Sequence, residues 1–351
     1  MVWGFDPGVS SSSGVPADPP DAGVAGHYGD PYLEQRRLSS GVGVVDLSHR
    51  PVLRVTGPDR LSWLHTLLSQ HVASLAPRES TEALVLSPQG HVEHHLQLVE
   101  TGEEVLAHLE PGTGSDLLAF LERMRFMLRV EVSLAEDLAV VWTPSAPSES
   151  GGAGVGDGVG TATGFGRYLL LPRADARALV DLAVADGTAA GAMAHEALRA
   201  AARRPRFGLD TDHRTLPQEV GWLVRAVHLD KGCYRGQESV ARIYNLGRPP
   251  RRLVLLHLDG SDSELPVAGA PVLLGSREVG HVGTAVRHFE LGPLALALVK
   301  RTVLDDTELT VQGPAGPIAA AVDSAPDDVH VPDSPARAAA EARAGLLRLP
   351  R

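Results

Sequence analysis

A single cysteine, Cys233, occurs among 351 residues. That excludes an intrachain disulfide and any zinc or iron–sulfur site built from this chain's thiolates alone, and it makes the cytoplasm the expected compartment. Aromatic residues are 4% of the chain, too few for the stacking surface that single-stranded nucleic acid needs. Basic residues number 32 against 43 acidic, a formal net charge of -11 that repels phosphate backbones and anionic lipid. No run of about 18 apolar residues is present, as a membrane span would require. The first twenty residues, rich in Gly, Ser, Pro and Asp, do not read as a signal peptide. Direct nucleic-acid binding and membrane association are therefore not expected, which leaves small molecules and proteins as partners. The length suits two or three packed modules with a core of Ala, Val and Leu.

Other residue types are scarce as well, and where they fall is informative. The only lysines are Lys231 and Lys300, the only asparagine is Asn245, and the isoleucines are Ile243 and Ile318. Lys231, Cys233, Ile243 and Asn245 all lie within positions 231–245, together with Tyr234 and Tyr244. In a chain that uses Ala, Arg, Gly and Val almost everywhere else, this is where chemistry is expected.

Composition and periodicity divide the chain. Residues 1–30 are rich in Gly, Pro and Ser and are expected to be a disordered N-terminal segment. Residues 31–248 read as an α+β region of two modules. Val52 to Thr56 is a strand, Leu61, Leu64, Leu67 and Leu68 recur at helical spacing up to His71, and Ala83 to Leu86 with Val92 to Val99 form a hairpin about Ser87-Pro88-Gln89-Gly90. A helix is expected over Ser115 to Met127, strands over Arg129 to Leu134, Leu138 to Trp142 and Tyr168 to Leu171, and helices over Ala174 to Ala185 and Ala192 to Arg203. The Gly-rich stretch 145–166 reads as a surface loop. Its Gly154–Gly160 run superficially resembles a dinucleotide loop but has no lead-in strand and no following helix. Residues 249–323, after Pro249-Pro250, carry six short strands with Gly and Pro turns and are expected to close as a β-barrel. Residues 324–351 form an acidic, then Ala- and Arg-rich tail.

Three constellations could carry function. In Lys231-Gly232-Cys233-Tyr234-Arg235-Gly236-Gln237-Glu238, two glycines allow a shaped loop and close approach of another group. A helix beginning near Gln237 would set Cys233 before its positive end, and Lys231 and Arg235 flank the thiol, all favouring the thiolate. The alternative is a small buried cysteine at a module junction. On the strand holding His91, Glu93 and His95, period-two geometry would place these three on one face, an acceptable metal set, although half-exposed hairpin strands alternate in the same way. Between Arg206 and Glu219 lies a long polar loop that includes Asp210 and Glu219.

Taken together these segments resemble the folate-binding proteins of the YgfZ type, relatives of the glycine-cleavage T-protein, an aminomethyltransferase. The K-G-C-Y-x-G-Q-E signature is matched by Lys231 to Glu238. Gly208, Asp210, Pro217 and Glu219 look like the T-protein's G-x-D and P-x-E elements, and Asp46-Leu47-Ser48-His49 looks like its D-x-S-H. The likeness spans roughly residues 44–322. It implies an α+β ring of two modules with a C-terminal six-stranded barrel around a cavity for tetrahydrofolate or a derivative. Asp210, Glu219, Arg199 and Glu93 become candidate folate contacts. It implies a folate-binding accessory protein for iron–sulfur assembly or repair, including that of tRNA-modifying enzymes, acting through Cys233 with Lys231 and Arg235 while Gln237 and Glu238 organise the loop. Iron–sulfur proteins or their assembly factors would be the partners of an expected monomer. The alternative it implies is a folate-dependent aminomethyl or one-carbon transferase. In the resemblance, Ala201 stands where the T-protein has its pterin-binding glutamate.

Overall fold

A computed structural model describes residues 14–144, 159–162, 165–260, 264–305 and 307–323. The tail expected over 324–351 and most of the 145–166 stretch, including Gly154 to Asp157, lie outside the described residues. Seven α-helices are described: α1 (Pro31–Ser39), α2 (Arg60–Leu67), α3 (Gly114–Arg123), α4 (Arg173–Ala185), α5 (Ala192–Ala201), α6 (Trp222–Ala226) and α7 (Gln237–Leu246).

Two five-stranded sheets and a closed barrel share the molecule. The first sheet has the order 80–86, 92–100, 104–108, 52–56, 131–134, with antiparallel neighbours throughout. Its inward residues Leu53, Val55, Val85, Leu96 and Leu98 alternate along the strands and pack on Trp63, Leu64, Leu117 and Leu121 of α2 and α3. The second sheet has the order 159–162, 167–172, 138–143, 44–46, 189–190, the last pair parallel. Helix α4 covers one face of it with Ala176 and Val180 against Val141 and Leu169, a one-turn apolar repeat.

Strands 251–258, 292–300, 277–288, 271–274, 308–312 and 317–323 close into the six-stranded barrel, Leu255–Leu258 pairing back onto Ala320–Asp323. This α+β architecture with its C-terminal antiparallel barrel is the one the sequence led us to expect. Closure leaves no unpaired barrel edge. Helix α5 is the hub: Ala197 and Ala200 lie on barrel residues Val286, Leu294 and Leu296, and small side chains here let helix and barrel approach closely.

Three local expectations need correction. Residues 14–30 are ordered: Val15–Pro16 pairs with Ala25–His27, and Glu34 accepts from the backbone N–H groups of Tyr28 and Gly191, tying this segment to the start of α5. A Gly- and Pro-rich composition does not register the single buried carboxylate, Asp21, that anchors it. Residues 159–162, inside the expected loop, form an edge strand paired with Arg167–Leu170. Helix α2 stops at Leu67 rather than His71, because Leu68 is extended and the carbonyls of His65, Leu68 and Gln70 are taken by the Lys231 ammonium.

Close backbone approach is decisive at Gly283 on the long barrel strand, where a Cβ would lie 2.3 Å from Asp210 Oδ1 and 2.8 Å from Asp210 Cα. At Gly232 a Cβ would meet nothing within 4 Å. Gly283→Ala is therefore expected to lower stability by about 1–3 kcal/mol through overpacking, and Gly232→Ala to stay within about 0.5 kcal/mol. Urea midpoints of the two variants check this.

Candidate functional site: a buried chamber and a cysteine loop

The two sheets, α5 and the barrel meet around an arginine–carboxylate network. Arg199 of α5 gives Nε and Nη2 to Glu196, at 3.0 and 2.7 Å, and Nη1 to Asp210 at 2.9 Å. Arg206 reaches Glu110 at 2.7 Å and Asp21 at 2.8 and 2.9 Å. Asp210 also accepts the backbone N–H groups of Arg206 (2.8 Å) and Thr284 (2.7 Å), which fastens the loop after α5 to the barrel. Burial would push the Glu110 and Glu196 carboxyls up, but the surrounding arginines hold both below the usual carboxylate range.

Against this network lies a chamber of about 20 Å³. Five arginines line it (Arg50, Arg199, Arg204, Arg206 and Arg225), with Glu82, Glu110, Gln97 and Tyr168 among the other groups. Exposure separates its floor from its mouth: the Arg50 and Arg206 side chains are 2% and 3% exposed, those of Arg204 and Arg225 23% and 27%. At the mouth Arg204 and Arg225 approach Glu82 at 3.5 and 3.6 Å. Glu82 is held more firmly by His95 at 3.1 Å, whose ring stacks on Trp222. Beside the floor, Tyr168 Oη meets His195 Nε2 at 3.3 Å, and burial lowers that histidine's pKa.

The Lys231–Glu238 segment is a separate place on the molecule, at the surface. Cys233 is exposed. The two cations beside it in sequence are engaged elsewhere. Lys231 is buried, its ammonium capping the end of α2 and lying 5.2 Å from the Tyr234 ring, and burial brings its pKa down to about 8. Arg235 pairs with Glu93 at 2.6 Å and covers the Phe120 ring. The Tyr234 N–H donates to Gln237 Oε1, Glu238 is exposed in the first turn of α7, and α7 does begin at Gln237. Of the two motif glycines, Gly236 has positive φ (84°) and its Cβ would lie 2.5 Å from Ser87 O, whereas Gly232 is open. The loop is thus pressed onto the Ser87–Gly90 turn at one glycine only.

Sequence-based candidates are placed as follows. Asp210 and Arg199 come together in the network. Glu219 is buried and takes Arg251 at 3.0 and 2.8 Å, pinning the first barrel strand, so its role is that of a joint. Glu93 belongs to Arg235, away from the chamber. His91, Glu93 and His95 do not share a face: the register shifts so that Val85 opposes His94 and Leu86 opposes Val92, leaving Glu93 as a bulge residue. Among the described residues no three His, Cys, Asp or Glu side chains gather as a metal site. Sequence reasoning missed Arg50, Glu82, Glu110, Arg204, Arg206 and Arg225. The one available signal was Arg50 directly after Asp46-Leu47-Ser48-His49, a charged residue opening the apolar strand 52–56.

A reduced folate, which the resemblance implies, was tested against this chamber. Its donor types suit a ligand rich in acceptors, since the Nε and Nη2 of buried Arg50 and the Nε of Arg225 have no hydrogen-bond partner among the described residues. Its space does not suit a pterin. About 20 Å³ holds roughly one water, and Ala201 packs against the barrel side instead of offering an acid. With the side chains as they stand, the ring does not fit.

Comparison with known proteins agrees on the fold. Residues 251–326 match the family model of the glycine cleavage T-protein C-terminal barrel domain. The aminomethyltransferase of Synechococcus sp. (strain WH7803) is 26% identical over 305 residues, 71% of this chain and 76% of that protein. That of Chromobacterium violaceum is 29% identical over 116 residues, 33% of this chain and 32% of that protein. The solved glycine cleavage system aminomethyltransferase T from Bartonella henselae superposes with a TM-score of 0.72, covering 84% of this chain and 89% of that chain at 21% identity. The chain has the T-protein fold, and its sequence is similar to aminomethyltransferases.

Burial raises the Glu82 pKa, but the His95 hydrogen bond and the charges of His95, Arg225 and Arg204 outweigh it and bring the carboxyl to about 2, from an ordinary 4.5. A depressed carboxylate adds stability above its unfolded pKa that is lost as pH falls through the folded value. Stability is accordingly expected to decline from pH 4.5 toward 2. In Glu82→Gln the decline should be shallower by up to about 1.4 kcal/mol per pH unit, one proton's worth, as denaturant titrations across that range would measure.

Proposed function

We propose that this chain is a folate-dependent protein of the aminomethyltransferase kind, which takes a reduced folate at the central chamber only once the mouth arginines have moved aside, and serves one-carbon, aminomethyl-type transfer. The observation that carries this is a polar chamber where both sheets, α5, the segment after it and α6 converge, within the fold of an aminomethyltransferase. The mouth is the more exposed side: the Arg204 and Arg225 side chains are 23% and 27% exposed, those of the floor arginines Arg199 and Arg206 3%. Swinging the two mouth arginines outward would open space and present two guanidinium groups to the glutamate carboxylates in which a folate ends.

A second, finer reading is favoured by the exposed Cys233 on a complete K-G-C-Y-x-G-Q-E loop: a YgfZ-type accessory protein of the cytoplasm that supports iron–sulfur assembly or repair. A lone thiolate cannot hold a cluster, so its iron–sulfur contact would be shared with a partner protein's ligands. Lys231 and Gly236 then act as supports that fix the loop.

Calorimetric titration with tetrahydrofolate and 5-formyltetrahydrofolate tests the first reading. Saturable binding is expected, weakened at least about tenfold in Arg225→Gln, an amount equal to about 1.4 kcal/mol; no saturation at millimolar ligand would remove folate from the account. Aminomethyl transfer with a lipoylated carrier protein then tests turnover. For the second reading, Cys233→Ser should fold and bind folate as the parent does, yet fail to restore iron–sulfur enzyme activity in a deletion strain. Full complementation by that variant would show the thiol to be dispensable.

A further inference from the structure

Arginine takes a carboxylate most strongly through the two parallel N–H bonds of Nε and Nη2. This chain uses that fork repeatedly: Arg60 on Glu100, Arg129 on Asp59, Arg199 on Glu196 and Arg251 on Glu219. Arg50 is the departure. Its Nη1 reaches Glu110 at 3.2 Å, but its Nε and Nη2, the same fork, have no hydrogen-bond partner among the described residues. It is also among the most buried arginines, 3% exposed, and it lines the chamber with its guanidinium 5.7 Å from the Tyr168 ring centre. A buried cationic donor left unsatisfied costs several kcal/mol, so the geometry asks for an acceptor with two oxygens.

From this we infer that the Arg50 fork is a binding subsite for the smallest carboxylate, formate, held bidentately on the chamber floor. Two features set the ligand class. The unpaired Nε and Nη2 offer two parallel N–H donors in one plane, matched to the two oxygens of a carboxylate. The space of about 20 Å³, room for about one water, limits the ligand to a group as small as formate and excludes a ring. Tyr168 closes one side of the guanidinium, so the carboxylate lies in the plane of the fork. This site goes beyond the folate reading and does not rest on it, because it needs no movement of the mouth arginines beyond admitting a small ion.

The test is thermal melting of the full chain, free of folate, against sodium formate, with sodium chloride at matched ionic strength and inorganic phosphate as comparison anions. Formate is expected to raise the melting temperature saturably, as any ligand of the native state does, with chloride and phosphate far weaker. Arg50→Gln should raise the half-saturating formate concentration at least tenfold, and Arg50→Lys, which keeps the charge and loses the fork, should do the same. A formate response equal to that of chloride, a stronger response to phosphate, or an unchanged midpoint in either variant would overturn the proposal. If the variants do not fold, the wild-type comparison of formate with chloride decides alone. Failure of the tetrahydrofolate titration would leave these outcomes unaltered.

Discussion

Everything near the centre of this molecule depends on satisfying Asp210. Its two oxygens accept from Arg199, from the Arg206 amide and from the Thr284 amide, and its side chain is entirely buried. An isolated carboxylate there would be prohibitively costly, and removing one partner of such a buried pair typically costs about 3–5 kcal/mol. The Arg199 side chain must then remain charged and in place, which fixes Glu196, and Glu196 in turn meets Arg206 at 3.1 Å. Through Arg206 the chain of partners runs on to Glu110 and Asp21. The chamber exists because these charged groups face one another and cannot collapse into an apolar core. Gly283 completes the arrangement by letting the barrel backbone touch Asp210.

Much of the fold was legible in the sequence because it is written locally. The barrel strands show alternating apolar residues between Gly and Pro turns, and α4 and α7 show apolar residues at helical spacing. What was not legible was written at long range. Asp21 and Arg206 are separated by 185 positions and Arg199 and Thr284 by 85, so neither pairing leaves a trace in any window of sequence. The end of α2 shows the same: the chain leaves the helix where Lys231 takes the carbonyls of His65, Leu68 and Gln70 and the Ser69 backbone pairs with Leu84 and His228, all distant in sequence.

The candidate site was legible in kind and not in arrangement. The scarcity of lysine and cysteine led to the 231–238 loop, and the loop is indeed shaped, with its cysteine at the surface. Nearness in sequence nevertheless misassigned its cations. Lys231 points down to helix carbonyls and Arg235 across to Glu93, because a buried ammonium and a half-exposed guanidinium each go where acceptors are. Alternation failed at His91, Glu93 and His95 for an equally local reason, one extra residue in the strand.

The Asp210 joint also orders events while the chain is being made. Its donor on the barrel side, the Thr284 amide, lies 74 residues further on, a distance that synthesis at about 5–20 residues per second covers in about 4–15 s. For that interval both α+β sheets can form, yet the buried guanidinium and carboxylate between them lack part of their satisfaction. The polar seam around Asp210 is therefore complete only when the last module has emerged and docked.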